Sequence, residues 1–247
     1  MQSSTEIQST AKDRGLQPAL ASPRLSDAKD WLLWQLADSA FPTGGFTHSG
    51  GLEAVWQHRE ITGGEDLFQL LAVALQQIGN STLLFVVAAH QGTPSFAELD
   101  GLCEAFTSNH VANRASRLQG QSLLASAERS FATEALKQFR ASVLEQQLPT
   151  HLAPVFGAVG RALGLERPAT VRLFLFTQLR GLISSSVRLG VVGPFEGQSL
   201  QHRLGPHAER IAQDCGSLSL EDIAQTAPLL DLFQATQDRL YSRLFQS

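Results

Sequence analysis

Apolar residues recur three and four positions apart through most of the chain beyond residue 30. The clearest run is Leu67, Leu70, Leu71, Ala74, Leu75 and Ile78, a spacing that lays one apolar stripe along a helix. Glu65-Asp66 opens this helix, and Leu83 to His90 continues it past Gly79. Earlier, Trp31, Leu32, Trp34, Gln35 and Leu36 predict a short amphipathic helix from about Asp30, broken by Pro42-Thr43-Gly44-Gly45. A second helix is expected near Ser49, with Glu53 in its first turn, where a negative charge complements the helix dipole.

Further helices are predicted from Thr93-Pro94, over Asn113–Glu128, over Ala132–Leu148, and over Leu152–Leu163 with Gly164 closing it. The segment from Pro168 to about Leu189 is apolar nearly all round, which places it at the centre of a bundle. Ser184-Ser185-Ser186 gives it a patch of small side chains for a close neighbour. Gly190 to Gly197 reads as a loop. Short helices near 198–213 and 219–226 follow, then a last helix from Pro228 to the end. No segment alternates in polarity as a half-buried strand would. The expected fold is all-α, one helical bundle-like domain of roughly ten helices over residues 29–247. Residues 1–28, rich in Ser, Gln, Thr and Ala, read as a disordered tail.

Composition narrows the function. The 247 residues are 43% hydrophobic, enough for a sizeable core, and the net charge of −4 argues against nucleic acid and an anionic membrane surface. The longest apolar run, Leu83 to Ala89, is too short to span a bilayer. Without a signal peptide pattern the compartment reads as cytoplasmic. The only lysines are Lys12, Lys29 and Lys137, and none stands in a Gly-Lys-Ser/Thr phosphate loop. Cys103 and Cys215 stand far apart, outside any C-x-x-C pair. His202 and His207, interrupted by Gly205-Pro206, do not have the spacing of a helical metal pair. Ser49, in His48-Ser49-Gly50-Gly51, does not sit in a nucleophile elbow. No catalytic residue, metal ligand or cofactor is assigned.

Two features point outward from the core. Arg180 and Arg188 lie in the apolar helix, and each needs an acid, a carbonyl or solvent. They form internal ion pairs or line an interface. Leu229, Leu230, Phe233, Leu240, Tyr241, Leu244 and Phe245 recur at helical spacing up to Ser247. Large apolar side chains so near the end must pack on this fold or on a partner.

Collinear blocks carry a family resemblance. Trp34 to Ser39, Phe41-Pro42-Thr43-Gly44-Gly45-Phe46-Thr47-His48-Ser49 and Gly51-Leu52-Glu53-Ala54 resemble the N-terminal signature of the urease accessory protein UreF family, its eukaryotic branch most closely. His151-Leu152-Ala153-Pro154-Val155-Phe156-Gly157 resembles the central motif, and Ser186 to Pro194 the third. Pro228-Leu229-Leu230-Asp231 and Ser242-Arg243-Leu244-Phe245-Gln246-Ser247 resemble the C-terminus. The family often ends Arg-Leu-Phe-Arg-Ser, and Gln246 replaces its second arginine.

The resemblance implies an all-helical, non-catalytic homodimer in urease maturation. It implies a complex with UreD (UreH), which recruits the GTPase UreG and supports nickel delivery to apo-urease. The alternative is a metallochaperone that binds nickel itself; a third reading is a cryptic hydrolase. Carried onto this sequence, Leu240, Tyr241, Arg243, Leu244, Phe245 and Ser247 are expected to dock UreD. Pro42, Gly44 and Gly45 shape the turn before the second helix, and Gly51 and Leu52 are further motif positions. His48, Ser49 and Glu53 are exposed for contact or act as local caps. His151, Pro154, Gly157, Arg180 and Arg188 are further motif positions.

Overall fold

A computed structural model describes residues 25–247. Among these there are eleven α-helices and no strand. They are α1 (Leu25–Ala37), α2 (Leu52–Gln57), α3 (Gly64–Asn80), α4 (Thr82–Gln91), α5 (Phe96–Phe106), α6 (His110–Phe131), α7 (Glu134–Glu145), α8 (Leu152–Ala162), α9 (Arg167–Arg188), α10 (Pro194–Asp214) and α11 (Pro228–Ala235). The all-α reading holds. The tail reading falls largely on residues outside the described ones, but α1 begins at Leu25, inside the segment read as tail.

Most starts are set by local chemistry. Ser95 and Glu98 form a reciprocal capping box on α5, Asn109 caps α6, and Thr133 caps α7. Pro168 lies in the first turn of α9, where its missing N–H costs nothing. The short helix expected near 219–226 is only a 3-10 turn, Leu220–Asp222, and three other stretches differ from expectation. The run through Gly79 breaks at Ser81, whose backbone leaves the helical region and whose hydroxyl donates to the Gln77 carbonyl at 2.5 Å. The loop expected over 190–197 is shorter, because Pro194 opens a 21-residue α10 that runs through Pro206. The final helix stops at Ala235. A 3-10 turn, Gln237–Arg239, follows, and residues 240–247 are not helical.

Two connected apolar clusters form the core. One joins α3, α4, α9 and α10; the other joins α1, α6, α7 and α8. The centre belongs to α4 rather than to α9 alone. Every residue from Leu83 to Ala89 is buried, and burial of each large side chain contributes about 1.5–3 kcal/mol. Beside it α9 keeps an outer face with Arg172 and Phe176 exposed. Gly64–Gln91 is long and apolar enough to cross a membrane by length and composition. The break at Ser81 and the packing of both halves account for that hydropathy as core. Helices α4 and α8 cross very closely at Gly157, where a Cβ would stand 2.2 Å from the Val86 carbonyl oxygen.

Candidate protein-docking site

The first and last motifs of the chain meet in space. Residues 42–49 lie in the turn between α1 and α2. Gly44 adopts a φ of 73° ahead of a 3-10 turn, Gly45–Thr47, and the Pro42 carbonyl accepts the Ser126 hydroxyl at 2.8 Å. Gly51 precedes α2 with a φ of 89°, a region that L side chains rarely adopt, and Leu52 then opens the helix into the core. Against this turn lies the end of the chain. The N–H of Gln246 donates to the Thr47 carbonyl at 2.8 Å, and the N–H of Ser49 donates to the Ser247 carbonyl at 2.5 Å.

Glu53, expected at the surface or as a cap, is 2% exposed. Its carboxylate accepts the N–H groups of Leu244 at 2.6 Å and Phe245 at 3.1 Å, and the Gln237 amide at 2.6 Å. Ser49 is also buried and helps to cap α2, its hydroxyl accepting the Glu53 N–H at 3.4 Å. His48 is part-buried against Ser247, with Nδ1 2.5 Å from the serine hydroxyl oxygen. Burial, and secondarily the charge of Arg114, push its pKa down to about 4.

These bonds explain the missing helix. Once the N–H groups of residues 244–246 donate to Glu53 and Thr47, they cannot close helical turns. Side chains that helical spacing would put on one face therefore separate. Phe245 and Ser247 turn inward, 3% and 1% exposed. Tyr241 is fully exposed, Leu244 is 52% exposed, and Leu240 is part-buried. The expectation that all six C-terminal residues meet a partner thus needs correction at Phe245 and Ser247, which pack on their own domain.

Both arginines find carbonyls rather than acids. Arg188 donates to the Phe46 carbonyl, and its guanidinium lies over the Phe46 and Phe245 rings, 3.6 and 4.3 Å from their centroids. Such contacts contribute about 0.5–2 kcal/mol. Arg180 lies apart, donating to the Ala37 carbonyl at the end of α1. Around the C-terminal segment, Asp238 accepts from Arg114 at 2.9 Å and Arg243 at 3.2 Å. The Arg114 hydrogen bonds hold the Asp238 carboxyl below its ordinary range. Gln57 on α2 donates to the Ser242 carbonyl at 2.8 Å. Gln57, Gln237 and Asp238 went unrecognised in the sequence: isolated Gln and Asp residues carry no spacing signal, and only the fold brings them to this segment.

The central motif forms a different structure. His151 is fully buried between α5, α6 and α8. The Ser116 hydroxyl accepts the Leu152 N–H at 3.2 Å and lies 3.1 Å from His151 Nδ1; His151 Nε2 lies 2.7 Å from Glu104. Asp100, also fully buried, accepts the N–H groups of Thr150 and His151 at 2.6 and 2.8 Å, and burial raises its pKa. Ser116, His151 and Glu104 line up as a hydrolase relay would. The ring is enclosed, however, and the serine oxygen is already bonded to backbone, so the array joins three helices. Pro154 and Gly157 continue this buried face. Among the described residues there is no cluster of three or more His, Cys, Asp or Glu side chains that could hold a metal ion.

The UreF family profile matches residues 61–205, and curated relatives extend the likeness over most of the chain. Urease accessory protein F of Arabidopsis thaliana is 37% identical over 229 residues, 91% of this chain and 95% of the relative. The protein of the same name from Oryza sativa subsp. indica is 36% identical over 219 residues, 87% of this chain and 84% of the relative. A Schizosaccharomyces pombe protein described as an uncharacterized UreF-like urease accessory protein is 32% identical over 225 residues, 86% of this chain and 94% of the relative.

The chain belongs to the UreF family. UreF proteins are urease accessory proteins rather than ureases, so membership supports a role in urease maturation, alongside other accessory proteins. The segment over 34–54 that resembles the family's N-terminal signature and the ending that resembles its C-terminus are the two segments joined by Glu53, His48 and Ser247. Their conjunction is the candidate site.

Proposed function

We propose that this UreF-family chain is a non-catalytic, cytoplasmic scaffold of urease maturation. It acts as a homodimer, binds UreD (UreH) through its C-terminal segment, and in that complex recruits the GTPase UreG and supports nickel delivery to apo-urease. The observation that carries this reading is the outward face of residues 240–247. Tyr241 and Leu244 stand exposed on a segment whose backbone is hydrogen-bonded at Leu240, Ser242 and residues 244–247. An ordered apolar surface spares a partner the cost of fixing a loose chain end, about 1–2 kcal/mol per residue. Phe46, 68% exposed over Arg188, adds a third large apolar group at the same end of the molecule.

Deleting residues 240–247 would confound the test, because it also strips Glu53 of buried donors. The clean experiment is the double substitution Tyr241→Ala and Leu244→Ser, followed by co-purification with UreD and then with UreG. Substitution of side chains this exposed should change stability by no more than about 0.5 kcal/mol. Loss of the UreD complex with an unchanged thermal transition is expected. Retained binding would overturn the docking surface.

A further inference from the structure

The carboxylate of Glu53 is enclosed without a countercharge: among the described residues no Lys, Arg or His nitrogen lies within ion-pair distance of it. Its charge is instead met by neutral donors. Three of the four belong to the C-terminal segment and the turn leading to it: the Gln237 amide and the N–H groups of Leu244 and Phe245. The fourth, Gln57 at 3.5 Å, is long, and Gln57 already donates to Ser242 at 2.8 Å.

The dependence runs both ways. A buried anion must be fully hydrogen-bonded, so the folded turn around Glu53 needs the segment in place. The N–H of Phe245, buried with its ring, needs an acceptor and has no helical one. Burying either set of groups without the other would leave an unpaired polar group, so the carboxylate and the segment are buried together. Consecutive N–H groups at Leu244 and Phe245, both held by one carboxylate, also fix how the chain is rotated there. That rotation sends Phe245 under Arg188 and leaves Leu244 outside.

We infer that Glu53 is the positioning residue of the partner-docking surface. It never meets the partner itself; it locks the segment so that Tyr241 and Leu244 are presented before the partner arrives. The surface so presented carries Tyr241, Leu244 and Phe46, while Arg243 is already paired with Asp238 and Arg188 with the Phe46 and Phe245 rings, which fits an apolar hollow on UreD rather than a charged patch. This inference rests on the docking reading above.

The test is Glu53→Gln in the full chain, which keeps the side-chain shape but aims an NH2 group at the two backbone donors. Amide hydrogen exchange is read at Leu244, Phe245 and Gln246, with Leu84–Ala88 of α4 as the internal reference, and UreD affinity is measured on the same samples. Exchange at the three C-terminal amides should speed up at least tenfold with α4 unchanged, and UreD should bind about 10- to 100-fold more weakly. Glu53→Asp, which keeps the charge one methylene short, should fall between the two. Unchanged protection at Leu244 and Phe245 overturns the positioning role. Loss of protection in α4 as well, in both variants, also overturns it, by assigning Glu53 to the general core. Protection lost only at the segment, with UreD affinity unchanged, shows that Glu53 holds the segment and that the docking reading is what fails.

Discussion

His48 Nδ1 lies 2.5 Å from the hydroxyl oxygen of Ser247, so two residues 199 positions apart close the ring between the chain's first signature and its last residue. The contact suits a neutral imidazole, whose Nδ1 accepts the serine hydrogen. Charging the ring would place a cation in a part-buried site already near Arg114.

This contact gives the protein an acid-sensitive closure. The folded-state pKa of His48 is about 4, below the unfolded value of 6.5. The folded state therefore binds this proton less readily than the unfolded chain. The stabilisation is complete above pH 6.5 and is lost as pH falls from there through 4. Allowing for solvent screening of a partly exposed ring, it amounts to about 1–2 kcal/mol. Urea unfolding of the wild-type chain and His48→Gln at pH 7 and pH 4.5 measures it. The wild type should lose more stability than the variant on acidification, and equal losses would remove His48 from the account.

A methyl group at Gly157 should be among the most damaging small changes in the protein. A Cβ there meets the Val86 carbonyl oxygen at 2.2 Å and the Ala89 Cβ at 2.8 Å, and the backbone of α4 cannot swing aside as a flexible side chain would. Gly157→Ala should lower stability by about 1–3 kcal/mol or more. The urea midpoint reports this directly. A midpoint equal to wild type would mean that α4 and α8 separate freely.

His151→Phe tests whether the central motif is structural. The substitution keeps a ring but removes both nitrogen contacts, leaving Ser116 without one partner and Glu104 turned to solvent. A loss of about 1–3 kcal/mol is expected, the cost of one unpaired buried polar group. UreD binding measured well below the melting temperature should persist. Selective loss of binding at full stability would give His151 a direct role in contact.

Nickel offers a discriminating measurement against the metallochaperone alternative. Among the described residues no three His, Cys, Asp or Glu side chains converge, and three of the histidines are engaged apart from one another: His151 with Ser116 and Glu104, His90 with the Leu165 carbonyl, His48 with Ser247. Equilibrium dialysis of the isolated chain should find no tight stoichiometric site at micromolar nickel, since such sites need three or four converging ligands. One ion bound per chain at that concentration would favour the metallochaperone.

The sequence by itself determined the helices, because helical order is written locally. Spacings of three and four residues place the apolar face, and Ser95 with Glu98, Asn109, Thr133 and Pro168 mark starts through bonds reaching only a few residues. The collinear motif blocks also named the family, since order along the chain is itself information. Tertiary structure alone decided the fate of the last eight residues. Their spacing reads as a helix, yet a carboxylate 191 positions away takes the Leu244 N–H and a carbonyl on the Gly45–Thr47 turn takes that of Gln246. Likewise, Glu53 reads as a dipole-complementing residue in a first turn, and it does occupy that turn. Whether its carboxylate then faces water or the end of the chain depends on donors brought from Gln237, Leu244 and Phe245. Periodicity records which side of an element is apolar; it holds no record of which distant backbone will supply the bond that a buried charge requires.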